Sequence, residues 1–138
     1  MAILGKRSVQ NLVGVHPNLV KVIKTAIVNT PYDFTVVEGV RTQARQMMLY
    51  AQGRTAKGDI VTFADGVKNK SNHQVKSDGY GHAVDIYPYI NGKVDFNNAI
   101  ALKTIASHIK SVAKQLNIGI TWGGDWKKPF DPPHFQLK

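Results

Sequence analysis

The chain has 138 residues, the usual size of one domain, and we expect residues 1–138 to fold as a single domain. It has no cysteine, which excludes disulfide bonds, thiolate metal ligands and a thiol nucleophile. The net charge of +9, from 18 Lys+Arg against 9 Asp+Glu, favours polyanionic partners. The basic residues are scattered and form no nucleic-acid-binding motif, so we expect no nucleic-acid partner. No apolar run approaches the roughly 20 residues of a transmembrane helix.

The first half of the chain predicts three helices, one strand and a long loop. Apolar residues at helical spacing indicate the helices, and a run of β-branched residues indicates the strand. The helices are predicted over 8–14, 17–27 and 43–52, the strand over 34–40, and the loop over 53–70. A loop of this length without its own periodicity is often functional.

The second half predicts mostly strands around one long helix. A buried strand is predicted over 81–87, a hairpin turn at Asn91-Gly92, a helix over 98–117, and short strands over 120–122 and 134–137. Helices and short strands in this order predict an α+β domain with a small antiparallel sheet.

Two histidines and two carboxylates stand out in strand-like or turn-rich sequence: His73, Asp85, Asp131 and His134. A catalytic zinc site usually takes three protein ligands and keeps one position for water, and a further carboxylate then accepts the proton of that water. We assign His73, Asp85 and His134 as the ligands of Zn²⁺ and Asp131 as the catalytic base. Pro132 and Pro133 hold the last of these segments stiff and extended.

Strand geometry decides between His73 and His82 as the first ligand. Side chains alternate faces along a strand, so Ala83 and Asp85 share one face and His82 takes the other. We therefore predict that His82 and Asp85 point apart and that His73 is the ligand.

Several motifs in the same order resemble the zinc peptidases of the D-alanyl-D-alanine carboxypeptidase and L-alanyl-D-glutamate endopeptidase family, which cut bacterial cell-wall peptides. The similarity extends over about residues 31–138. The motifs are Ser71-x-His73, Gly81-x-Ala83-x-Asp85, Asp131-x-x-His134, Gly39-Val40-Arg41-Thr42 with Gln46, and Trp122-Gly123-Gly124-Asp125-Trp126. The family usually places six residues between its first histidine and its aspartate, whereas residues 74–84 intervene here, which predicts a longer loop.

The resemblance implies one zinc peptidase catalytic domain with the α+β fold of D-alanyl-D-alanine carboxypeptidases and hedgehog-like proteins. It also implies roles for further residues. Arg41 would contact substrate and stabilise the oxyanion through its planar fork, so it is both a catalytic and a substrate-binding candidate. The other substrate-binding candidates are Ser71, Gln46 and Trp126. Asp125 is a candidate for orienting a ligand histidine through its second nitrogen.

The function implied is that of a zinc-dependent peptidoglycan peptidase whose partner is the wall stem peptide. No secretory signal is visible at the N-terminus. We therefore expect a monomeric phage endolysin that is made in the host cytoplasm, reaches the wall after release and cuts L-alanyl-D-glutamate. Two alternatives stay open. One is a D-alanyl-D-alanine carboxypeptidase, and the other is a non-catalytic wall-binding module that retains zinc.

Overall fold

A computed structural model of the protein describes residues 2–127 and 130–138, which form four α-helices and five strands. The helices are α1 (Lys6–Asn11), α2 (Pro17–Val28), α3 (Gln43–Ala51) and α4 (Ala99–Gln115). The strands are β1 (Phe34–Glu38), β2 (Ala83–Ile90), β3 (Lys93–Val94), β4 (Ile120–Trp122) and β5 (His134–Leu137), and a short 3₁₀ helix covers Gly123–Asp125. No helix of the described part is long and apolar enough to cross a membrane.

The strands form one antiparallel sheet in the order β1-β2-β5-β4, and β3 pairs with the far end of β2. The predicted α+β class with a small antiparallel sheet is therefore confirmed. The predicted loop over 53–70 is confirmed as well, since no helix or strand of the structure lies within it. Strand β2 is longer than predicted, because it continues through Pro88 and ends at the turn where Asn91 adopts a positive φ of 55°.

The hydrophobic core lies between one face of the sheet and helices α2 and α4, which pack against each other. Each helix turns an apolar stripe inward, as its sequence spacing predicts. The buried side chains from the helices are Leu19, Val22, Ile23, Ala26 and Ile27 of α2, and Ile105, Ala106, Ile109, Val112 and Ala113 of α4. From the sheet they are Phe34, Val36, Val84, Ile86, Trp122 and Phe135.

The opposite face of the sheet forms one wall of a groove. Along β2, Val84 and Ile86 enter the core while Asp85 and Tyr87 line the groove. Along β5, Phe135 enters the core and its neighbours His134 and Gln136 line the groove. Strand alternation therefore separates the apolar half of the sheet from its polar half.

A β-bulge in β1 adds one more polar side chain to this face. Val36 pairs with Ile86 and is fully buried, and regular alternation would also direct Glu38 into the core. The pairing shifts between them, so that Glu38 lies beside Asp85 and lines the groove. Bulges commonly re-aim side chains in this way beside functional sites.

Helix α1 protects the outer edge of β1 at the bulge. The hydroxyl of Ser8 accepts a hydrogen bond from the backbone N–H of Val36 at 2.9 Å, and the Asn11 amide donates to the carbonyl of Val36 at 2.8 Å. These side chains satisfy backbone groups that an edge strand would otherwise expose. Helix α1 thereby fixes the end of β1 that leads to Arg41.

Candidate metal centre

The side chains of His73, Asp85 and His134 converge on one point of the groove. The Nε2 atom of His73 lies 3.2 Å from Nδ1 of His134 and 3.3 Å from Oδ1 of Asp85. Nδ1 of His134 lies 3.6 Å from the same carboxylate oxygen. A tetrahedral zinc ion binds nitrogen and oxygen at about 2.0–2.2 Å, which places neighbouring donor atoms roughly 3.3–3.6 Å apart. The three separations suit one ion of this size.

Hydrogen bonds on the far side of each histidine ring fix which nitrogen faces the cluster. Nδ1 of His73 lies 2.9 Å from the carbonyl oxygen of Gly39, and Nε2 of His134 lies 2.7 Å from Oε1 of Gln136. An oxygen acceptor requires the proton on that ring nitrogen, so the other nitrogen keeps its lone pair. Both lone pairs point to the cluster, which is the arrangement that metal-binding histidines need.

The third member, Asp85, supplies the strongest indication that the cluster fits a cation. Its Oδ1 atom is buried and has no hydrogen-bond partner among the described residues. Buried carboxylate oxygens are nearly always hydrogen-bonded, because leaving one unpaired is costly. A metal ion between Asp85 and the two histidines would satisfy it.

Burial and neighbouring charges together shift the pKa values of the cluster residues. Burial alone would raise the pKa of Asp85, but the closeness of His134 and His73 holds this pKa well below its usual range. Burial raises the pKa of Asp131, and the nearby charge of Asp85 raises it further. The pKa of His134 is raised because contacts with Asp85 and Gln136 outweigh the opposing effect of burial.

Asp131 sits at the border of the cluster rather than in it. Its Oδ2 atom is 3.8 Å from Nδ1 of His134, and its backbone carbonyl accepts a hydrogen bond from the His134 N–H at 3.1 Å. The tight turn before β5 packs against Gly123, where a Cβ atom would collide with the carbonyl oxygen of Asp131. The glycine therefore permits the close approach that sets Asp131 beside the metal-binding atoms.

Arg41 lies next to the cluster, but its fork is occupied by protein groups. Its Nε and Nη2 atoms donate to the two oxygens of Glu38 at 2.9 and 2.7 Å, and Nη1 donates to Gln46 at 2.7 Å. Its side chain is 9% exposed, and Nη2 is 3.7 Å from Oδ2 of Asp85. The bidentate pair with Glu38 thus holds a positive charge against the outer oxygen of Asp85.

The other substrate-binding candidates have different surroundings. Gln46 is fully buried, and its amide donates to Thr62 and to the carbonyl of Ala64, so it ties α3 to the 53–70 loop instead of facing a ligand. The Ser71 hydroxyl accepts from the His73 N–H at 3.1 Å and supports the backbone of that residue. Trp126 lines the groove, with its ring centroid 5.0 Å from that of His134.

Gln136 was not singled out by the sequence, yet it contacts a member of the cluster. Its Oε1 atom accepts from His134 and also from the amide of Asn72 at 2.8 Å, which links β5 to the segment carrying His73. Asp125, the sequence candidate for orienting a histidine, pairs instead with Lys110 at 2.6 Å. The only available signal was position: Gln136 follows His134 by two residues on a strand and therefore shares its face.

The groove around the cluster has a volume of about 590 Å³. Besides the residues above, its walls include Val61, Phe63 and Lys70 from the end of the long loop. A second concavity of similar volume lies beside Lys110 and Lys114; Asp125 lines it, but none of the three assigned metal ligands does, nor Asp131 or Arg41. The groove at the cluster is therefore the candidate site.

His82 lies outside the cluster, as the strand argument predicts. Its Nε2 atom bonds to Asp78 at 2.7 Å, in a second group of metal-binding side chains that also includes His16. His82 lies just before β2 and belongs to this second group, apart from Asp85.

Fold and site together define a class: an α+β domain whose antiparallel sheet carries two histidines and an aspartate beside another carboxylate, the side-chain set of metal-dependent hydrolases. The family model for phage L-alanyl-D-glutamate peptidases matches residues 1–135. The chain belongs to this family.

Individual relatives agree with this membership. The chain is 35% identical over 127 residues to the L-alanyl-D-glutamate peptidase of Escherichia phage T5, covering 92% of the chain and 83% of the relative. It is 34% identical over 120 residues to the peptidoglycan L-alanyl-D-glutamate endopeptidase CwlK of Bacillus subtilis strain 168, covering 83% of the chain and 66% of CwlK.

Solved structures agree on the fold. The L-Ala D-Glu endopeptidase ChiX of Serratia marcescens matches with a TM-score of 0.75 and 34% identity, covering 96% of this chain and 87% of ChiX. The vancomycin-resistance D,D-dipeptidase VanXYg matches with a TM-score of 0.55 and 16% identity, over 89% of this chain and 50% of VanXYg, a likeness of fold alone.

Proposed function

We propose that this protein is a zinc-dependent peptidoglycan endopeptidase that hydrolyses the bond between L-alanine and D-glutamate and acts as a phage endolysin. One observation carries the metal part of the proposal: Oδ1 of Asp85, which has no hydrogen-bond partner among the described residues, faces two histidine nitrogens at zinc-like separations. The bond specificity rests on family membership and on the named activities of the relatives.

His73, Asp85 and His134 would hold the ion. Zinc in such a site lowers the pKa of a water molecule and polarises the substrate carbonyl. Asp131 is close enough to the cluster to accept the proton of the attacking water, and it has no direct contact with Asp85 among the described hydrogen bonds and ion pairs. As the carbon–oxygen bond forms and the carbon–nitrogen bond breaks, Asp131 returns this proton to the leaving amine of D-glutamate.

Arg41 supports this centre from behind Asp85. Because Glu38 and Gln46 already accept from its fork, we infer that it fixes the orientation and charge of Asp85, and that a carboxylate of the substrate pairs with another cation. Lys70 lines the groove, is exposed, and has no ion-pair partner within residues 2–127 and 130–138. We propose that Lys70 pairs with that carboxylate.

Product analysis distinguishes the proposed activity from its alternatives. Purified peptidoglycan digested by the protein should yield new amino-terminal D-glutamate and fragments cut after L-alanine, identified by mass spectrometry. Release of free D-alanine alone would show a carboxypeptidase. Wall binding without any released fragment, unchanged by a chelator or by added zinc, would show a binding module.

The cellular part of the proposal needs a separate test. We propose that the protein is made in the host cytoplasm, works as a monomer and reaches the wall when lysis begins. Expression inside a bacterium should leave growth intact until the membrane is permeabilised, after which optical density should fall rapidly. A fall without permeabilisation would contradict this route.

A further inference from the structure

A second group of metal-binding side chains lies on the other side of the segment that joins His73 to Asp85. It consists of His16, Asp78 and His82, whose candidate donor atoms all lie within 4.8 Å of one another. Nε2 of His82 is 2.7 Å from Oδ2 of Asp78, and Nε2 of His16 is 3.9 Å from the same oxygen. The side chains are 25%, 40% and 21% exposed in chain order, so an ion could reach them from solvent.

Backbone pairing brings the two histidines together. The N–H of His16 donates to the carbonyl of Gly81 at 2.9 Å, and the N–H of Gly81 donates to the carbonyl of Gly14 at 3.0 Å. This short parallel bridge joins the start of α2 to the start of β2. As a result, the rings of His16 and His82 lie with their centroids 5.1 Å apart.

The loop before β2 supplies the carboxylate. Lys76 and Tyr80 close a tight turn, with the Lys76 N–H donating to the Tyr80 carbonyl at 2.9 Å. Within the turn, Oδ1 of Asp78 accepts from the N–H of Tyr80 at 3.0 Å, which fixes the carboxylate and directs Oδ2 at both histidines. The aspartate is therefore held in place by the turn and not by the histidines alone.

We propose that His16, Asp78 and His82 form a second binding site for a divalent transition metal of the zinc class. Two imidazoles and one carboxylate suit such ions, whereas calcium and magnesium require mostly oxygen ligands. Around a tetrahedral zinc ion the donor atoms are roughly 3.3 Å apart, so the 2.7 Å contact must lengthen and the 3.9 Å contact must shorten by about 0.6 Å each. Movements of this size are available to exposed side chains.

A hydrogen bond made by His16 should give this second site a lower metal affinity than the first site has. Nδ1 of His16 accepts from the N–H of Asn18 at 3.1 Å and caps α2, so the neutral ring carries its proton on Nε2. Binding a metal at Nε2 requires that proton to move to Nδ1, and the Asn18 bond is then lost. At His73 and His134 no such change is needed. The second site should therefore fill after the first.

An ion here would clamp the loop between two proposed ligands of the first centre. It would connect the start of α2, the 76–80 turn and the start of β2, three segments that otherwise meet through few hydrogen bonds. Binding should therefore raise the melting temperature of the folded protein, because the metal binds the native arrangement and not the unfolded chain.

The test is the number of zinc ions bound per chain at equilibrium with a zinc buffer, measured by elemental analysis and by calorimetric titration. Wild type should bind one more equivalent than His82→Ala and one more than Asp78→Asn, which keeps the shape of the loop. His108→Ala is the matched control, since the ring of that histidine bonds to the Ala26 carbonyl and His108 belongs to neither group of metal-binding side chains, and this variant should bind zinc as wild type does. The readout is a difference, so it stands whether or not the first centre holds zinc.

A nuclear magnetic resonance titration gives a second readout. The amide signal of Asn18 should shift with the second zinc equivalent in wild type and stay in place in His82→Ala. Equal zinc content in wild type, His82→Ala and Asp78→Asn would overturn the proposal. The three side chains would then only connect their segments by hydrogen bonds. An equal loss in His108→Ala would overturn it as well, since it would reveal unspecific binding to surface histidines.

Discussion

At the scale of single residues, the groove contains two aspartates whose surroundings give them different work. Asp85 faces two histidine nitrogens with an otherwise unpartnered oxygen, and Arg41 stands behind its second oxygen. Asp131 lies 3.8 Å from His134 on a tight turn, and burial raises its pKa. The first arrangement suits a metal ligand and the second suits a group that exchanges a proton.

Asp131→Asn should therefore strongly reduce turnover while the fold and the metal remain. Asparagine has nearly the same shape, so the turn against Gly123 and the position of His134 should persist. General-base assistance is typically worth about 10²–10⁴-fold, and the hydrolysis rate should fall by that order. The measurements are the initial rate on purified wall and the zinc content of the variant. If zinc is lost together with activity, Asp131 is a ligand and one of the three assigned residues is not.

Gln136→Leu should weaken metal binding without touching a ligand. Its side chain accepts hydrogen bonds from His134 and Asn72, and the first of these fixes the tautomer that leaves Nδ1 available. Removing such a partner commonly lowers metal affinity by roughly 10–100-fold. Competition against a zinc chelator of known affinity measures the change. Gln136→Glu keeps the acceptor oxygens and should retain binding; an equal loss in both variants would point to a packing defect instead.

The sequence indicates the metal-binding residues but not the contacts of Arg41 and Gln46, and the reason is physical. His73, Asp85 and His134 were predicted because their chemistry and spacing point to a common metal. The surroundings of Arg41 and Gln46 could not be predicted, since they depend on Glu38 and Thr62, which reach them through a bulge and a loop without periodicity. Pairing across such irregular segments leaves no pattern in the chain.

At the scale of secondary-structure elements, the regular alternation of side chains along a strand was predictable from the sequence. The β-bulge that interrupts this alternation was not. The predicted alternation correctly separated Asp85 from His82, although His82 lies just before β2. The bulge between Val36 and Glu38 breaks this alternation in β1, and no residue type in that stretch predicts a bulge. Yet the bulge determines that Glu38 faces the groove and holds Arg41, so an irregularity completes the site.

The 76–80 turn provides a test of how far the first centre depends on its connecting loop. Residues 74–84 are eleven, and deleting Lys76–Tyr80 leaves the six that relatives of this family usually place between the two ligands. The deletion ends already meet, since the Lys76 N–H bonds to the Tyr80 carbonyl at 2.9 Å. His73 is held independently, because its carbonyl accepts a hydrogen bond from the Arg41 N–H and its ring donates one to the carbonyl of Gly39.

The shortened protein should therefore keep its first metal ion and most of its activity. Zinc content and the rate on purified wall are the measurements, and a change of less than about threefold is expected, well below the loss of a catalytic group. Since Asp78 is removed, the additional zinc equivalent at the second site should disappear. Loss of all zinc with the fold intact would contradict the view that His73 is fixed from the β1 side.

At the scale of the whole molecule, the net charge acts on attraction to the wall, whereas the fold positions the residues of the groove. The core and sheet set the positions of the groove residues, whereas the net charge of +9 acts at long range. The peptidoglycan wall carries many stem-peptide carboxylates, so an enzyme of this charge should be concentrated at its surface. That contribution was predictable from composition alone because it needs no particular arrangement of residues.

Salt should therefore reduce activity on the intact wall more than activity on a short peptide. The Debye length falls from about 10 Å at 0.1 M salt to about 3 Å at 1 M, which screens attraction between exposed charges. The half-saturating amount of wall should rise several-fold between these conditions, while kcat and the kinetics on a soluble stem peptide change little, since the groove contacts are short-range.

Lys21→Glu, Lys24→Glu and Lys103→Glu together provide the matched variant, because these exposed helix residues lie away from the groove. Each change removes two charges, so the net charge falls by six, from +9 to +3. This variant should bind wall weakly even at low salt and cleave the peptide normally. An identical salt response for wall and peptide would instead place the effect of salt in the groove itself.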